Sequence, residues 1–282
     1  MNTLPNTAAD RFVVTPATAE TLDDLYVLHP DREDASRGVE RLRGRIATGQ
    51  VQFGQVLILR GPRGVEGTLL LAGNPAVPLF PRLRPGSPAA AITALLGAAR
   101  AQVSLDRRLI LDCTLAPLGA APALAAGWRH TETHVLYETD LRAYVSVPDP
   151  AAREASVNDP AVRALLADLG RADWVPEEDE EFVALFGQGD RPCALGTVRP
   201  GHTPDLGMID LIGVRPGLSG QGYGTRLHAH LLGRVAKRFG RHVGATGADN
   251  LAMRRILARH GALDTSVQEV YLPLALHAPD RV

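Results

Sequence analysis

The chain has 282 residues, of which 45% are hydrophobic and 22% charged, so it is long enough for two folded domains of about 140 residues each. Its formal net charge of −1 argues against non-specific nucleic-acid binding, which depends on an excess of basic residues. The longest apolar run, residues 89–99, is too short to span a bilayer, and the polar N-terminus does not resemble a secretory signal, so we expect a cytoplasmic protein without a membrane partner.

Strand and helix patterns alternate along the first half of the chain. The predicted strands are residues 12–15, 56–59, 68–72, 109–114 and 133–141. The predicted helices are residues 20–29, 36–47, 88–102 and 120–126. Pro88 suits the first turn of its helix, where the missing N–H has no intrahelical partner anyway.

A segment with two prolines and few large apolar groups, residues 142–158, is the predicted boundary between two domains, residues 1–145 and 146–282. Asp159 and Pro160 then begin a helix, because an N-cap carboxylate followed by proline is a typical helix start. The predicted helices of this half are residues 161–169, 222–239 and 250–260, and the predicted strands are residues 182–186, 193–198, 208–214, 242–246 and 269–274.

The two halves have the same order of elements. Three landmarks recur at a separation of 134 residues: Gly86 and Gly220, Gly127 and Gly261, and Tyr137 and Tyr271. We interpret the chain as a duplication, in which each half is one copy of the same fold.

The most informative segment is the glycine-rich loop at residues 214–227, which follows an apolar strand and opens a long helix. Glycines at 220, 222 and 224 allow the backbone to approach a ligand closely and to turn several N–H groups in one direction. Together with the helix N-terminus they form an anion site that suits a pyrophosphate. A tight turn without a ligand is the alternative interpretation of the loop taken alone.

Two common phosphate motifs do not fit this loop. A P-loop requires Lys followed by Ser or Thr after its last glycine, where this chain has Thr225 and Arg226. A dinucleotide fingerprint requires its third glycine three residues after the second and an acidic residue on the next strand, and neither is present.

The loop instead resembles the signature of the GNAT acetyltransferase superfamily, which reads Arg or Gln, two residues, Gly, one residue, then Gly or Ala, after a strand ending in Val-x-Pro. Residues 219–224 match it except at Ser219, which replaces Arg or Gln. A second family feature is an Asn that opens a helix ending near Gly-Phe; here Asn250 opens the helix, and Gly261 is followed by Ala262. The resemblance covers about residues 159–275 and, more loosely, the whole chain.

The resemblance implies an α+β fold of two tandem GNAT-like domains, each a mixed, mostly antiparallel sheet flanked by helices. The N-terminal domain would be degenerate, and the C-terminal domain would bind acetyl-CoA beside a splayed pair of parallel strands. The cofactor-binding residues implied by position are Ile212, Gly213 and Val214 for pantetheine, Ser219, Gly220, Gln221, Gly222, Tyr223, Gly224 and Thr225 for the pyrophosphate, and Asn250. Asn250 is equally well explained as a plain helix cap.

Acetyl transfer to an amine requires a group that removes a proton from the amine and a donor for the developing oxyanion. Asp210 is the candidate base, since strand alternation places it on the face of Ile212 and Val214; a structural carboxylate is the alternative. The family often has a tyrosine at the position of Leu257, which protonates the leaving thiolate. This chain therefore has no assigned residue for that proton transfer. His228, His230 and His260 are predicted to be structural or exposed. Arg254, Arg255 and Arg259 are predicted to lie on a solvated helix face, with contacts to phosphates as the alternative.

Two functions remain open at this stage. The first is an N-acetyltransferase that acts on a primary amine of a small molecule or peptide. The second is an acyl-CoA-binding regulatory module with little turnover, which Leu257 favours. The acidic segment at residues 177–181 either attracts a cationic amine or is a solvated charge run. Two cysteines without metal-type spacing predict no metal site.

Overall fold

The computed structural model describes residues 12–72, 77–112, 120–176, 179–187, 191–201 and 203–275. The chain divides into two compact units, one formed by Met1–Thr133 with Val267–Val282 and the other by His134–Ser266. The structure is a mixture of helices and mostly antiparallel strands, as predicted. No helix in the described part of the chain is both long and apolar enough to cross a membrane.

The described residues of the first unit form short strands and three α-helices. Its strands are β1 (Val13–Pro16), β2 (Val56–Gly61), β3 (Gly64–Leu70), β4 (Arg82–Leu83) and β5 (Leu109–Asp112), and its helices are α1 (Arg32–Ala47), α2 (Ala89–Arg100) and α3 (Ala120–Ala125). Strands β1 to β4 form an antiparallel sheet in chain order. The apolar face of α2 contributes Ile92, Leu95 and Leu96 to the core, where the buried Trp128 donates its indole N–H to the carbonyl of Leu96 at 3.0 Å.

The second unit contains the glycine-rich loop. Its strands are β7 (Ala152–Ala155), β8 (Glu181–Phe186), β9 (Pro192–Pro200), β10 (Leu206–Met208), β11 (Ile212–Val214) and β12 (Arg241–Gly247), and its helices are α4 (Pro160–Asp168), α5 (Tyr223–Ala236) and α6 (Leu251–Arg259). The helical spacing predicts a buried stripe of Tyr223, Leu227, Leu231 and Val235 on α5. The last three are fully buried against the sheet, whereas Tyr223 is only partly buried. Asp159 caps α4 by accepting the N–H of Ala161 at 2.8 Å.

Two long strands, β6 (Trp128–Asp140) and β13 (Leu263–Pro273), are divided between the units. Residues 134–140 of β6 pair with β12 in the second unit. Residues 268–271 of β13 pair with β5 in the first unit. The last strand of each sequence repeat therefore belongs mainly to the unit of the other repeat. The compact units thus differ from the predicted ranges 1–145 and 146–282, which assign each repeat its own last strand.

Three local predictions differ from the structure. Residues 20–29 were expected to be a helix but contain only a 3₁₀ turn at Leu22–Tyr26. The predicted boundary segment contains the strand β7, which pairs with β8. The predicted strand at residues 208–214 is two strands, β10 and β11, separated by residues 209–211. That interruption creates the site described next.

Candidate active site

A cleft opens where the parallel strands β10 and β12 separate. They pair as far as Met208 and Val243. Beyond Met208 the chain leaves β12, and β11 pairs only with β9 among the described strands. The cleft has a volume of about 450 Å³ and is lined by residues 209–211, β11, β12, α5 and α6. The predicted splayed pair of parallel strands is therefore present.

The walls of this strand cleft carry open backbone edges. One edge of β11 pairs with residues 194–196 of β9, and no described strand pairs with the other edge. On β12, residues 244–247 pair with β6 but have no described partner on the cleft side. Unpaired N–H and C=O groups at a strand edge bind an extended ligand in the manner of an added strand.

The glycine-rich loop adopts the conformation that its glycines permit. Gly217, Gly220 and Gly222 have φ angles of +83°, +78° and +84°, in the left-handed region that residues with a side chain rarely adopt. A Cβ atom at Gly220 or Gly222 would meet no other atom within 4 Å. The glycines are therefore required by the backbone conformation and not by close packing, and the loop faces open space.

The helix that follows this loop has no side-chain cap. Gly222 is the N-cap of α5 and offers no side chain to the first N–H groups of the helix. In contrast, α1, α4 and α6 are capped by the side chains of Asp31, Asp159 and Asn250. An uncapped N-terminus keeps its N–H groups and positive dipole end available for an anion.

A second cavity of about 320 Å³ lies at this uncapped end. It shares five lining residues with the strand cleft, so the two form one continuous depression: Val214, Ser219, Gly224, Ala252 and Ile256. Two guanidinium-bearing residues of α6, Arg255 and Arg259, also line the second cavity. The sequence favoured a solvated helix face for both over contacts to phosphates, and the structure brings them beside the loop, where they add positive charge.

The predicted ligand-binding residues collect around this depression with one exception. Those that line the strand cleft are Ile212, Gly213, Val214, Ser219, Gly224 and Asn250. Those that line the second cavity are Val214, Ser219, Gly220, Gly222, Tyr223, Gly224 and Thr225. Gln221 lines neither cavity, and its amide donates to the carbonyl of Gly217 at 3.5 Å.

Gly213 and Asn250 each have a structural role as well. A Cβ atom at Gly213 would lie 2.3 Å from Leu169 at the end of α4, so this glycine allows the helix end to pack on β11. Any ligand contact by Gly213 must therefore come from its backbone. Asn250 accepts the N–H of Met253 at 3.1 Å, which is the helix-cap role.

Asp210 lines the strand cleft, but its carboxylate is already engaged. Arg199 of β9 donates to one of its oxygens in an ion pair whose partners are each about one-fifth exposed. Sequence alternation predicted the position of Asp210 and gave no sign of this partner. This contact occupies one lone pair of the carboxylate that a substrate or a water could otherwise use.

Leu257 on α6 is one of the residues that line the strand cleft. Its side chain is buried and offers no proton. Arg254 on the same helix donates to the hydroxyl of Tyr137 at 2.9 Å and to the carbonyl of Ala248 at 3.1 Å. These contacts give Arg254 a structural role, whereas the sequence predicted a solvated helix face.

Histidines are the cleft residues that sequence reasoning missed. His228 of α5 and His242 of β12 are almost completely buried, and both line the strand cleft. Burial lowers the pKa of His228 to about 3, with smaller contributions from His242 and His260. Burial also lowers the pKa of His242 to about 4. The one available sequence signal was that His228 follows Gly224 by four residues and so shares its helix face.

One residue of the acidic segment 177–181, Glu181, forms ion pairs. Residues 177 and 178 lie outside the described residues. Glu181 accepts from Arg234 at 2.8 Å and from Arg238 at 2.6 Å; Arg234 lies in the last turn of α5, and Arg238 follows the end of that helix. This carboxylate therefore ties β8 to the helix, which favours the structural interpretation of Glu181.

Comparison with protein families identifies one match. Residues 141–262 match the model of the acetyltransferase (GNAT) family, and this range includes the strand cleft and the glycine-rich loop. No curated protein sequence matches the chain.

Solved structures share the fold at low sequence identity. A GCN5-related N-acetyltransferase from Sphaerobacter thermophilus is 13% identical with a TM-score of 0.60, over 95% of this chain and 96% of that one. A GCN5-related N-acetyltransferase from Kribbella flavida is 18% identical with a TM-score of 0.57, over 76% and 89% of the two chains. A tandem GNAT protein from the clavulanic acid biosynthesis pathway is 16% identical with a TM-score of 0.52, over 92% and 97%. The last match extends the likeness to a tandem architecture.

Proposed function

Residues 141–262 form an acetyltransferase domain of the GNAT family, and on this premise we propose that the protein transfers the acetyl group of acetyl-CoA to a primary amine of a small molecule or peptide. The observation that carries the proposal is the continuity of the depression. An open strand edge at β11 leads directly to an uncapped helix N-terminus at Gly222. This order of surfaces suits a molecule that is extended at one end and carries phosphates at the other.

Each part of the depression has a distinct task in this proposal. Acetyl-CoA supplies the thioester whose carbonyl carbon an amine attacks. The open edge of residues 212–214 hydrogen-bonds the extended pantetheine arm. The N–H groups of the loop and the first turn of α5 bind the pyrophosphate, with Arg255 and Arg259 nearby. A backbone N–H near Val214 stabilises the charge that develops on the carbonyl oxygen.

The alternative function, an acyl-CoA-binding module with little turnover, keeps two observations in its favour. Leu257 offers no proton, and Asp210 is paired with Arg199. Both functions predict binding of acetyl-CoA, whereas only the enzyme releases CoA thiol in the presence of an amine. Thiol release with acetyl-CoA and a panel of primary amines therefore separates them.

We further propose that the N-terminal repeat has lost its own acetyl-CoA site. A shift of 134 residues aligns Gly220, Gly222 and Gly224 with Gly86, Pro88 and Ala90. Gly86 keeps the left-handed conformation, with φ +72°, but Pro88 at the N-cap of α2 has no N–H to donate. Ser219 aligns with Pro85, which removes a second donor.

Calorimetric titration with acetyl-CoA should therefore saturate at one equivalent per chain. The physical reason is that two backbone donors of the N-terminal loop are replaced by proline. A Gly222→Asp variant serves as the control, since it should remove all of the measured binding. Two sites of comparable affinity, or binding in the control that depends on residues 82–92, would show that the N-terminal repeat is not degenerate.

Replacement of Asp210 with Asn tests the base that the sequence suggested. A base that acts through one water should lose about 100-fold or more in rate. Because Arg199 already engages the carboxylate, we expect a loss of less than about tenfold, with unchanged affinity for acetyl-CoA. Arg199→Gln is the matched control, and it should reproduce the small effect. A 100-fold loss in Asp210→Asn alone, with a changed pH–rate profile, would restore Asp210 as the base.

A further inference from the structure

Three histidines from separate elements meet beside the strand cleft. The Nδ1 atoms of His228 and His260 lie 2.6 Å apart, and their rings are nearly parallel, at 11°, with centroids 4.8 Å apart. The ring of His242 meets that of His228 edge-on, with centroids 6.0 Å apart. His260 follows the end of α6 and is only partly buried. The cluster therefore runs from the buried cleft toward the surface.

The hydrogen bond between His228 and His260 fixes their proton content. Two ring nitrogens at this distance require one hydrogen between them, so one ring donates and the other accepts. Burial lowers the pKa of His228 to about 3. It also lowers the pKa of His260, with the nearby charge of Arg259 adding to the effect. Both rings are therefore neutral near pH 7, and exactly one of the two Nδ1 atoms carries the shared proton.

The other ring nitrogen of His228, Nε2, makes no hydrogen bond to the described residues. This atom is buried, and Nε2 of His242 is likewise buried without a hydrogen-bond partner among the described residues. Buried polar atoms are nearly always paired, and purely structural packing of the rings leaves these two unexplained. Both residues line the cleft. The described residues contain no group of three His, Cys, Asp or Glu side chains placed to hold a metal.

We propose that His228 and His260 form a proton pathway that carries the proton of the incoming ammonium group from the strand cleft to solvent. This inference rests on the proposed function, because it assigns a role in acetyl transfer to an amine. A primary amine is protonated near pH 7, so one proton must leave before its nitrogen can attack.

The transfer balances with these two rings alone. Nε2 of His228 accepts the ammonium proton on its lone pair, and Nδ1 of the same ring passes its own proton to Nδ1 of His260. Nε2 of His260 then releases a proton to water. The freed amine lone pair forms the C–N bond and the C–S bond breaks. The electron pair of the broken C–S bond stays on sulfur, and the sulfur takes the second proton that the nitrogen loses. After product release, water in the cleft takes the proton from Nε2 of His228 while the shared proton returns to its Nδ1 and Nε2 of His260 takes a proton from solvent, which restores both rings. The net products are the amide, CoA thiol and one proton in solution.

The charged and titratable groups around the pathway do not oppose proton transfer from the cleft to solvent. His242 of β12 faces His228 from the sheet and holds its Nδ1 3.4 Å from the hydroxyl of Thr139. Burial lowers the pKa of His242 to about 4, so it adds no charge near pH 7. Asp210 and Arg171 line the same cleft. Asp210 is the one acidic residue among those that line this cleft, and Arg199 forms an ion pair with it.

His260→Ala is the principal test, because His260 does not line the cleft and its loss leaves the binding surfaces intact. CoA-thiol release is measured from pH 6 to 10 with acetyl-CoA and the fastest amine of a primary-amine panel. We expect kcat to fall about 100-fold near pH 7 and to approach the wild-type value as the pH nears that at which the amine is neutral. Imidazole added to the buffer should restore part of the rate. His230→Ala, on the same helix as His228 but outside the cleft, should behave as wild type.

Loss of a merely structural ring would lower activity equally at every pH and would not respond to imidazole; that result overturns the proposal. His228→Asn gives a second test, since the amide can still reach His260 but has no group at the position of Nε2. It should show the same pH dependence with unchanged acetyl-CoA affinity. Failure of the wild-type chain to bind acetyl-CoA would instead overturn the proposed function itself.

A measurement independent of turnover completes the test. Ring ¹⁵N NMR of the acetyl-CoA complex should show His228 and His260 neutral near pH 7, one with its proton on Nδ1 and the other with its proton on Nε2. Two rings that both carry only an Nε2 proton, or a positively charged His228, would overturn the proposal even if no amine of the panel reacts.

Discussion

Gly222→Asp is expected to weaken acetyl-CoA binding by about 100-fold or more, which corresponds to about 2.7 kcal/mol. Two effects combine at this position. Gly222 has φ +84°, so any side chain strains the loop by about 1–2 kcal/mol. The carboxylate also places a negative charge at the uncapped N-terminus of α5, where the pyrophosphate would lie.

Two variants separate these effects. Gly222→Ala introduces the strain without the charge and should lose less affinity than Gly222→Asp. Gly49→Asp introduces the same substitution at another exposed, left-handed glycine, with φ +73° and no atom within 4 Å of the added Cβ, and it should bind as wild type. Binding is measured by calorimetry on variants whose circular dichroism matches the wild-type chain. Equal affinity in a folded Gly222→Asp variant would refute the assignment of the loop to the pyrophosphate.

Gly244→Ile is expected to abolish most acetyl transfer by filling the strand cleft. Gly244 lines the cleft on β12, and an added Cβ would lie 3.4 Å from the ring of His242 and 4.0 Å from the carbonyl of Ile209. The Cβ itself is accommodated, whereas the further carbon atoms of isoleucine must project into the space between the separated strands. We expect a loss of about 100-fold or more in the rate of thiol release, since misplacement of about 1 Å at a reacting centre has an effect of this size.

The choice of isoleucine follows from the duplication. A shift of 134 residues aligns Gly244 with Ile110, so the variant gives the second unit the side chain that the first unit already has. Gly244→Ala is the matched control and should retain most activity, because its Cβ makes only ordinary contacts. Wild-type rates in a folded Gly244→Ile variant would mean that the reacting groups do not enter the cleft at this point.

The sequence by itself determined the features that depend on local backbone chemistry. A run of glycines between an apolar strand and a helix specifies left-handed turns and exposed N–H groups, and Gly217, Gly220 and Gly222 adopt that conformation. The same holds for the start of α4 at Asp159 and for the buried stripe of α5. These features depend on residues within a few positions of one another, so the sequence predicts them without knowledge of the fold.

Only the tertiary structure decided which residues meet across the chain. A strand pattern of period two tells which face is buried but not which neighbour each edge will pair with, so the exchange of β6 and β13 between the units could not be derived. The separation of β10 from β12, the ion pair of Asp210 with Arg199, and the contact of His228 with His260 have the same origin. Each depends on long-range packing, which sets the burial and partners of a side chain, and thereby its chemistry.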